Sequence, residues 1–204
     1  MAALVGGLAT ANAVTIDFES DSSGSRANGF SPSGHPGVTF SDTVGSGLNV
    51  DNYGSQGIGQ SLGVLDDVDG SKLQINFASP MSFLSLAFGN DDSGWANASD
   101  RAWLQVFMGA TSVSLTSMAM NLNDIMDQTI SYSGGPFDSA IFWYGDASGS
   151  PYTQGTSVGL IEIVDNIEYR PATNIPNAPD AGSTMTLATI GFMGLAAVRR
   201  KLTN

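Results

Sequence analysis

Residues that could catalyse a reaction are scarce in this chain of 204 residues. Cysteine is absent and His35 is the single histidine, which excludes Cys–His nucleophiles and zinc sites built from several such ligands. A serine triad using His35 would need a Gly-x-Ser-x-Gly elbow that leads into a helix, and none precedes a helical pattern. The three glutamates, Glu19, Glu162 and Glu168, fall in predicted strands near the ends of the domain. We therefore predict a non-catalytic protein and keep a secreted glycosidase-like enzyme as a remote alternative.

Acidic residues dominate the charge of the chain and limit its partners. The formal net charge is −12, and residues 17–170 alone hold 18 acidic residues against four basic ones, a net charge of −14. Such a surface repels the phosphates of nucleic acids and argues against a nucleic acid partner. It is compatible with Ca²⁺, which takes about six to eight oxygen ligands. The absence of cysteine also means that an exported domain would be held by its core and by any bound metal, without disulfides.

Three tryptophans offer flat apolar surfaces on which sugar rings could stack. Trp95 follows the acidic, glycine-bounded loop 90–94, and we predict that it contacts ligand at the edge of a carbohydrate-binding module. An anchoring role in the loop is the alternative for Trp95. Trp103 and Trp143 lie within strand patterns, and we predict that both belong to the core.

Ten short segments combine β-branched or aromatic residues with two-residue alternation, and loops rich in Gly, Ser, Asp, Asn and Pro separate them. They are residues 14–18, 38–40, 48–50, 72–77, 82–89, 102–108, 112–118, 128–132, 139–144 and 158–169. Without helical periodicity between them, these segments predict an all-β fold, a two-sheet antiparallel β-sandwich of jelly-roll type. One short helix is expected around residues 120–126.

The two ends of this predicted sandwich carry similar acidic signatures. The domain opens on Ile16-Asp17-Phe18-Glu19 and closes on Val164-Asp165-Asn166-Ile167-Glu168-Tyr169. The pattern resembles that of secreted bacterial jelly-roll modules of galactose-binding-like shape. The resemblance implies a structural Ca²⁺ at this edge, with Glu19 and Asp165 as ligands. The loop 66–70 is a competitor, but Leu65 occupies the first ligand position of an EF-hand there, and an ordinary polar turn explains it better.

The end of the chain has the order of parts of a membrane-arrest signal. A polar signature is followed by an apolar run over residues 185–198, which as a helix would reach about 21 Å, short of a hydrocarbon core of about 30 Å. A terminal basic cluster supplies the reason to stop in the membrane, because cations prefer the cytoplasmic face. The residues concerned are Pro179, Asp180, Gly182, Ser183 and Thr184 in the signature and Arg199, Arg200 and Lys201 at the basic end.

This tail resembles the PEP-CTERM-like sorting signals that exosortase-type transpeptidases read, in the variant written VPDSG-CTERM. Ala178 stands where valine is usual and Ala181 where serine or glycine is common. The resemblance implies a transmembrane helix, cleavage near Pro179 and Asp180, and transfer of the body to a surface acceptor. At the other end, the small residues Ala11-Asn12-Ala13 resemble a signal peptidase site, although no Lys or Arg precedes Arg26.

The expected organisation is a signal peptide remnant over residues 1–13, a β-sandwich domain over 14–172, a linker over 173–178 and the sorting tail over 179–204 with its C-terminal hydrophobic helix. The main hypothesis is an exported, non-catalytic protein of the cell surface or extracellular matrix, sorted at its C-terminus and transiently held in the membrane by that helix. Its partners would be an exosortase-type transpeptidase and extracellular polysaccharide. The alternative is a carbohydrate-binding module that recognises such a polysaccharide.

Overall fold

Ten antiparallel β-strands make up most of the computed structural model of the chain, which describes residues 12–65, 69–152 and 160–172. One 3₁₀ turn, Gly54–Gln56, is the one helical element among these residues. The strands are β1 (Val14–Ile16), β2 (Gly24–Ser25), β3 (Val38–Asp42), β4 (Leu48–Asp51), β5 (Ser61–Val64), β6 (Leu73–Phe88), β7 (Arg101–Met108), β8 (Thr111–Ala119), β9 (Gln128–Gly145) and β10 (Glu162–Pro171).

Two long strands, β6 and β9, divide their pairing between two layers. The second half of β6 pairs with β10 and with the first half of β9, and β10 also pairs with β5 and β1. The first half of β6 pairs with β3 and with the second half of β9, which continues to β7 and β8. We call these the first and the second layer. The register of β6 against β9 shifts on both sides of Met81, where the two strands pass from one layer to the other.

The core lies between the layers and follows the two-residue alternation of the strands. In the second layer Leu73, Ile75 and Phe142 are fully buried, and in the first layer Leu84 and Phe88 are fully buried. The rings of Phe88 and Phe142 lie 5.8 Å apart, so the two layers meet in aromatic contacts. The all-β antiparallel sandwich predicted from the sequence is confirmed.

Several details of the predicted elements were wrong. The expected helix over residues 120–126 is an irregular loop, in which Leu122 and Asp124 have positive φ angles of 63° and 58°. Carboxylate contacts described below hold this loop, and they outweigh its helical pattern. The sequence prediction also missed β5, because Ser61–Val64 is buried on both faces and shows no alternation. It divided β6 and β9 into two segments each, at the points where they change layer.

The predicted sorting tail, its C-terminal hydrophobic helix, the linker and residues 1–11 of the expected signal peptide lie outside the described residues. Among the residues that are described, no helix is long and apolar enough to span a membrane.

Candidate functional site

The outer face of the second layer combines tryptophan with amide side chains. Alternation sends Leu73, Ile75, Leu104 and Phe142 inward, and it sends the intervening side chains of β6, β7 and β9 outward. Register places these outward residues side by side, with Trp103 opposite Trp143 and Ile141 opposite both Gln74 and Gln105. We call this surface the polar–aromatic face and define it by Lys72, Gln74, Asn76, Arg101, Trp103, Gln105, Ile141 and Trp143.

Two parallel tryptophans form the centre of the face. The rings of Trp103 and Trp143 are stacked, with centroids 6.0 Å apart and an interplanar angle of 12°. The turn after β9 fixes both rings, because Trp103 Nε1 donates to the Asp146 carbonyl and Trp143 Nε1 donates to the Gly149 carbonyl, each at 3.1 Å. Trp143 is 3% exposed and Trp103 is half-buried, so Trp103 carries the accessible surface of the pair.

The prediction that Trp103 and Trp143 belong to the core is right in that Trp143 is buried, and it is wrong for Trp103, which is half-buried on the outer face. Both lie outside the cluster of core residues, whereas their strand neighbours Phe142 and Leu104 lie within it. The reason is the alternation itself, since Phe142 and Tyr144 take the inward positions on either side of Trp143. The outward position of Trp143 could be predicted from the sequence if the inward–outward alternation ran unbroken along the whole of β9. The change of layer in the middle of the strand interrupts this alternation.

Amide groups beside the tryptophans are held in place by neighbouring polar side chains. Gln74 Nε2 donates to Asn76 Oδ1 and Gln105 Nε2 donates to Ser112 Oγ, both at 3.0 Å. All three amides are half-buried and keep further donor or acceptor capacity. Flat apolar rings flanked by fixed amides match a sugar, whose C–H faces are apolar and whose hydroxyls make hydrogen bonds.

Trp95, the tryptophan predicted to bind ligand, lies on an exposed turn between β6 and β7. The Asp92 carboxylate accepts from Gly94 N at 2.7 Å, and the Asp92 carbonyl accepts from Trp95 N at 2.9 Å. The side chain of Trp95 is 57% exposed, the largest fraction among the exposed large hydrophobic residues of the described chain. The loop therefore presents the ring to solvent, and ligand contact by Trp95 stays a prediction.

The acid next to this turn, Asp91, is fully buried and holds the loop before β9. Its two carboxylate oxygens accept from Leu122 N at 2.7 Å and from Asp124 N at 2.9 Å. Gly89 lies against the same loop, because a Cβ there would approach the Met126 backbone to 2.2 Å. The sequence prediction treated residues 90–94 as one acidic loop, and nothing in the local sequence distinguishes the buried Asp91 from Asp92.

The predicted Ca²⁺ ligands, Glu19 and Asp165, converge on the loop 57–61. Gln60 N donates to Glu19 Oε1 at 2.9 Å, and Ser61 Oγ donates to Asp165 Oδ2 at 2.9 Å. Burial raises the pKa of Asp165 to about 6, although hydrogen bonds from Asn166 N and Ser61 lower it, and the nearby Glu19 charge raises it further. The topology therefore brings together the two acids that the sequence places 146 residues apart.

These residues fit Ca²⁺ in chemical type. Two carboxylates with converging charge, one of them buried, are hard oxygen donors whose mutual repulsion a cation would relieve. Two carboxylates are fewer ligands than Ca²⁺ requires. The described residues contain no cluster of three or more His, Cys, Asp or Glu side chains suited to a metal ion. Backbone carbonyls and water would have to supply the remaining ligands. The competing loop 66–70 lies largely outside the described residues.

A second buried acid, Glu162 at the start of β10, lies between the layers. Its Oε1 accepts from Tyr144 N at 3.3 Å, and the residue is 4% exposed. Burial raises the pKa of Glu162 well above its ordinary value, hydrogen bonds from backbone N–H groups lower it, and the charges of Asp42 and Asp69 raise it. The buried hydroxyls of Tyr144 and Tyr152 lack a hydrogen-bond partner among the described residues.

His35 packs against the aromatic end of β10. Its Nδ1 lies 3.2 Å from the Tyr169 hydroxyl, and the two rings meet edge to face with centroids 6.2 Å apart. A histidine in this position stabilises the packing of the loop against the strand.

Solved structures with a similar chain path include sugar-binding domains. The chain matches the N-terminal tandem CBM22-1–CBM22-2 domain from Paenibacillus barcinonensis Xyn10C with 11% identity and a TM-score of 0.48, over 85% of this chain and 50% of that one, about half its length. It matches the CBM22-1 xylan-binding domain of the same protein with 10% identity and a TM-score of 0.44, over 79% and 96% of the two chains. It matches a DUF4465 family protein from Bacteroides caccae ATCC 43185 with 13% identity and a TM-score of 0.47, over 79% and 100%.

No protein-family model matches the chain. No curated protein matches it either. At these identities and TM-scores the structural likenesses carry no conclusion about ligand or activity. The fold assignment rests on the strand pairing, and any ligand has to be argued from the polar–aromatic face and its surroundings.

Proposed function

We propose that this chain is an exported, non-catalytic protein that binds extracellular polysaccharide through the polar–aromatic face of its β-sandwich. The observation that supports the proposal best is the stacked pair of Trp103 and Trp143 with fixed amides beside it. A rigid aromatic platform gives up little conformational entropy on binding and offers the apolar surface that a pyranose ring covers. The pairing of β7 with β9 fixes the two tryptophans side by side. The indole N–H bonds to the turn after β9 hold both rings in this position before any ligand binds.

Under this proposal Trp103 is the main ligand contact, whereas Trp95 was predicted from the sequence. Trp103 lies among fixed amides on a sheet, whereas Trp95 lies on a turn whose polar groups bond to one another, as Gly94 N does to the Asp92 carboxylate. A sugar hydroxyl near Trp103 therefore meets groups held in place to receive it. Trp95 is retained as a second contact at the loop edge.

Substitution of Trp103 by Ala should abolish most of the polysaccharide binding. Loss of an aromatic residue at the centre of an interface costs about 2 kcal/mol or more, which corresponds to about a 30-fold rise in Kd. Retardation in affinity gels that contain xylan, cellulose derivatives or polygalacturonate measures the effect, and isothermal titration with oligosaccharides gives the Kd.

Two matched variants decide where the site lies. Ile125→Ala removes an exposed apolar side chain away from the face, since Ile125 is 48% exposed on the loop before β9, and it should leave binding unchanged. Trp95→Ala should weaken binding less than Trp103→Ala does. Strong binding that survives Trp103→Ala and is lost with Trp95→Ala would move the site to the loop edge. Failure of the unmodified protein to bind any polysaccharide of the panel would overturn the proposal.

Export and sorting form a separate part of the proposal and rest on the sequence signature over residues 179–201. Such a tail would hold the protein at the membrane until an exosortase-type transpeptidase transfers it to the cell surface or matrix. Its position would keep a polysaccharide-binding domain close to the polymer that it recognises.

Removal of residues 179–204 in a host with the matching transpeptidase should release the protein into the medium. Replacement of Arg199, Arg200 and Lys201 by Gln should weaken membrane arrest, since these cations would mark the cytoplasmic end. Immunoblots of envelope and medium fractions measure both effects. Envelope retention of the truncated protein equal to that of the full chain would contradict the sorting role and leave the binding proposal standing.

A further inference from the structure

We infer that the ligand of the polar–aromatic face is an anionic polysaccharide with carboxylate groups, such as a uronate polymer. This inference rests on the proposed function and adds the charge class of the ligand to it. It comes from the placement of basic residues in a strongly acidic domain. Residues 17–170 contain four basic residues, Arg26, Lys72, Arg101 and Arg170, and two of them lie on this face beside the tryptophan pair.

The two cations border the tryptophans from different directions. Lys72 Nζ lies 4.2 Å from the centroid of the Trp143 ring, in a cation–π contact on the β6 side. Arg101 lies two residues before Trp103 on β7, which places both side chains on the same face, about 7 Å apart along the strand. Arg101 Nε donates to Ser117 Oγ at 2.9 Å, and this bond directs the guanidinium toward β8. That bond uses one of its five N–H donors.

The stretch that forms this side of the face is free of acidic residues. From residue 101 to residue 123 the sequence contains Arg101 and no other charged residue. Leu115 and Ser117 on β8 lie opposite Gln105 and Trp103, so the neutral surface continues to the end of the layer. The rest of the domain outside the polar–aromatic face, by contrast, holds all 18 acidic residues and two basic ones, a net charge of −16. A polyanion would be repelled by most of the surface and could approach this face.

Several acids around the face accept hydrogen bonds within loops and turns, among them Asp100, which precedes Arg101 and accepts from Asn97 N at 2.6 Å. Asp146 Oδ1 accepts from Ser148 N at 2.8 Å, from Ser148 Oγ at 2.6 Å and from Ser150 N at 3.0 Å, so this oxygen is directed to its own turn. Asp138 accepts from Gly109 N, at the far end of the β7–β8 hairpin. Asp69 Oδ1 accepts from Ser71 N at 2.7 Å. Glu162 is buried, close enough to Lys72 to influence the pKa of its ammonium group.

The chemistry of the face favours a carboxylated sugar over a neutral one. A neutral polysaccharide would need the tryptophan surface and the amides alone. A guanidinium beside a stacking ring fits a pyranose that carries a carboxylate, because Arg can bind a carboxylate through two parallel N–H bonds. Placing two of four cations on one face of an acidic domain adds the electrostatic attraction that such a polymer requires.

Polygalacturonate and its fully methyl-esterified form test the charge class, because they share one backbone and differ in charge. The unmodified protein should bind polygalacturonate at least tenfold more tightly than the ester in 50 mM NaCl, and the difference should shrink in 500 mM NaCl. Arg101→Gln and Lys72→Gln should each weaken binding to polygalacturonate about three- to tenfold and leave binding to the ester unchanged. Arg170→Gln is the control, because Arg170 packs on Phe83 in the first layer.

The outcomes separate this inference from the function on which it rests. Equal affinity for the two polymers, or binding to neutral xylan alone, would overturn the anionic ligand and leave polysaccharide binding intact. An effect of Arg170→Gln equal to that of Arg101→Gln would also overturn it, because the attraction would then come from overall charge. Binding to none of these polymers would overturn the proposed function itself. Thermal melts of each variant show whether it folds. If Arg101→Gln does not fold, Lys72→Gln provides the second test.

Discussion

Replacement of Glu162 by Gln should raise the melting temperature of the domain at pH 8 and change it little at pH 4. Glu162 is buried where a charged carboxylate loses its hydration, and the bond that it accepts from Tyr144 N is long, at 3.3 Å. A Gln side chain keeps the carbonyl oxygen that accepts this bond and removes the charge. The amide therefore avoids the cost of holding a carboxylate in the apolar interior.

The sign of the effect follows from the raised pKa. The folded protein holds the Glu162 proton more tightly than the unfolded chain does, and the unfolded chain releases it near the ordinary pKa of 4.5. Protonated Glu162 therefore contributes stability below pH 4.5, and this contribution is lost as the pH rises toward the folded pKa. Each unit of the rise in pKa corresponds to about 1.4 kcal/mol at a pH above both values. For a domain of this size, 1 kcal/mol changes the melting temperature by about 2–4 °C.

Scanning calorimetry from pH 4 to pH 9 measures this difference. Glu168→Gln is the matched control, since Glu168 is a glutamate of the same strand and is exposed. Its removal should leave the pH dependence of the melting temperature close to that of the unmodified protein. Parallel pH curves for the unmodified protein and Glu162→Gln would show that the folded state does not hold this proton.

The sequence predicted the fold class because its strands follow a local rule. Residues such as Leu73, Ile75 and Leu84 alternate with polar residues, and alternation depends on near neighbours alone. The continuous strands β6 and β9 could not be predicted in this way. The two strands pass together from one layer to the other, around Met81 in β6, and this passage depends on their pairing. In the sequence alone, the residues at this point look like a loop. β5 lacked alternation because both of its faces are covered.

The candidate binding surface was harder to predict than the fold, because it depends on which strands become neighbours. Trp103 and Trp143 are 40 residues apart in the sequence and stack only because β7 pairs with β9 in that register. Lys72 reaches the same surface from β6. Glu19 and Asp165 were predicted to share one edge from the resemblance carried by the two ends of the domain, and the pairing of β1 with β10 brings these two ends together. The buried role of Asp91 depends on a loop 31 residues away and had no local signal.

Addition of Ca²⁺ should raise the melting temperature of the domain by several degrees through the edge that contains Glu19 and Asp165. Both carboxylates lie against the loop 57–61, and their charges repel each other. A cation between them would replace this repulsion with attraction. A ligand that binds the folded state alone stabilises it by about 2.7 kcal/mol at 100 times its Kd, for example at 1 mM Ca²⁺ with a Kd of about 10 μM.

Asp165→Asn should remove most of the rise in melting temperature, because the amide keeps the shape of Asp165 and the bond from Ser61 while it loses the charge. Asp138→Asn is the matched control, since Asp138 binds Gly109 N at the β7–β8 turn and lies on a different strand from either predicted ligand. General screening of the acidic surface would produce the same rise with Mg²⁺ and with NaCl at equal ionic strength. Equal shifts with Ca²⁺ and NaCl, or a full Ca²⁺ shift in Asp165→Asn, would assign these acids to a solvated surface, because a bound ion needs the Asp165 charge as a ligand.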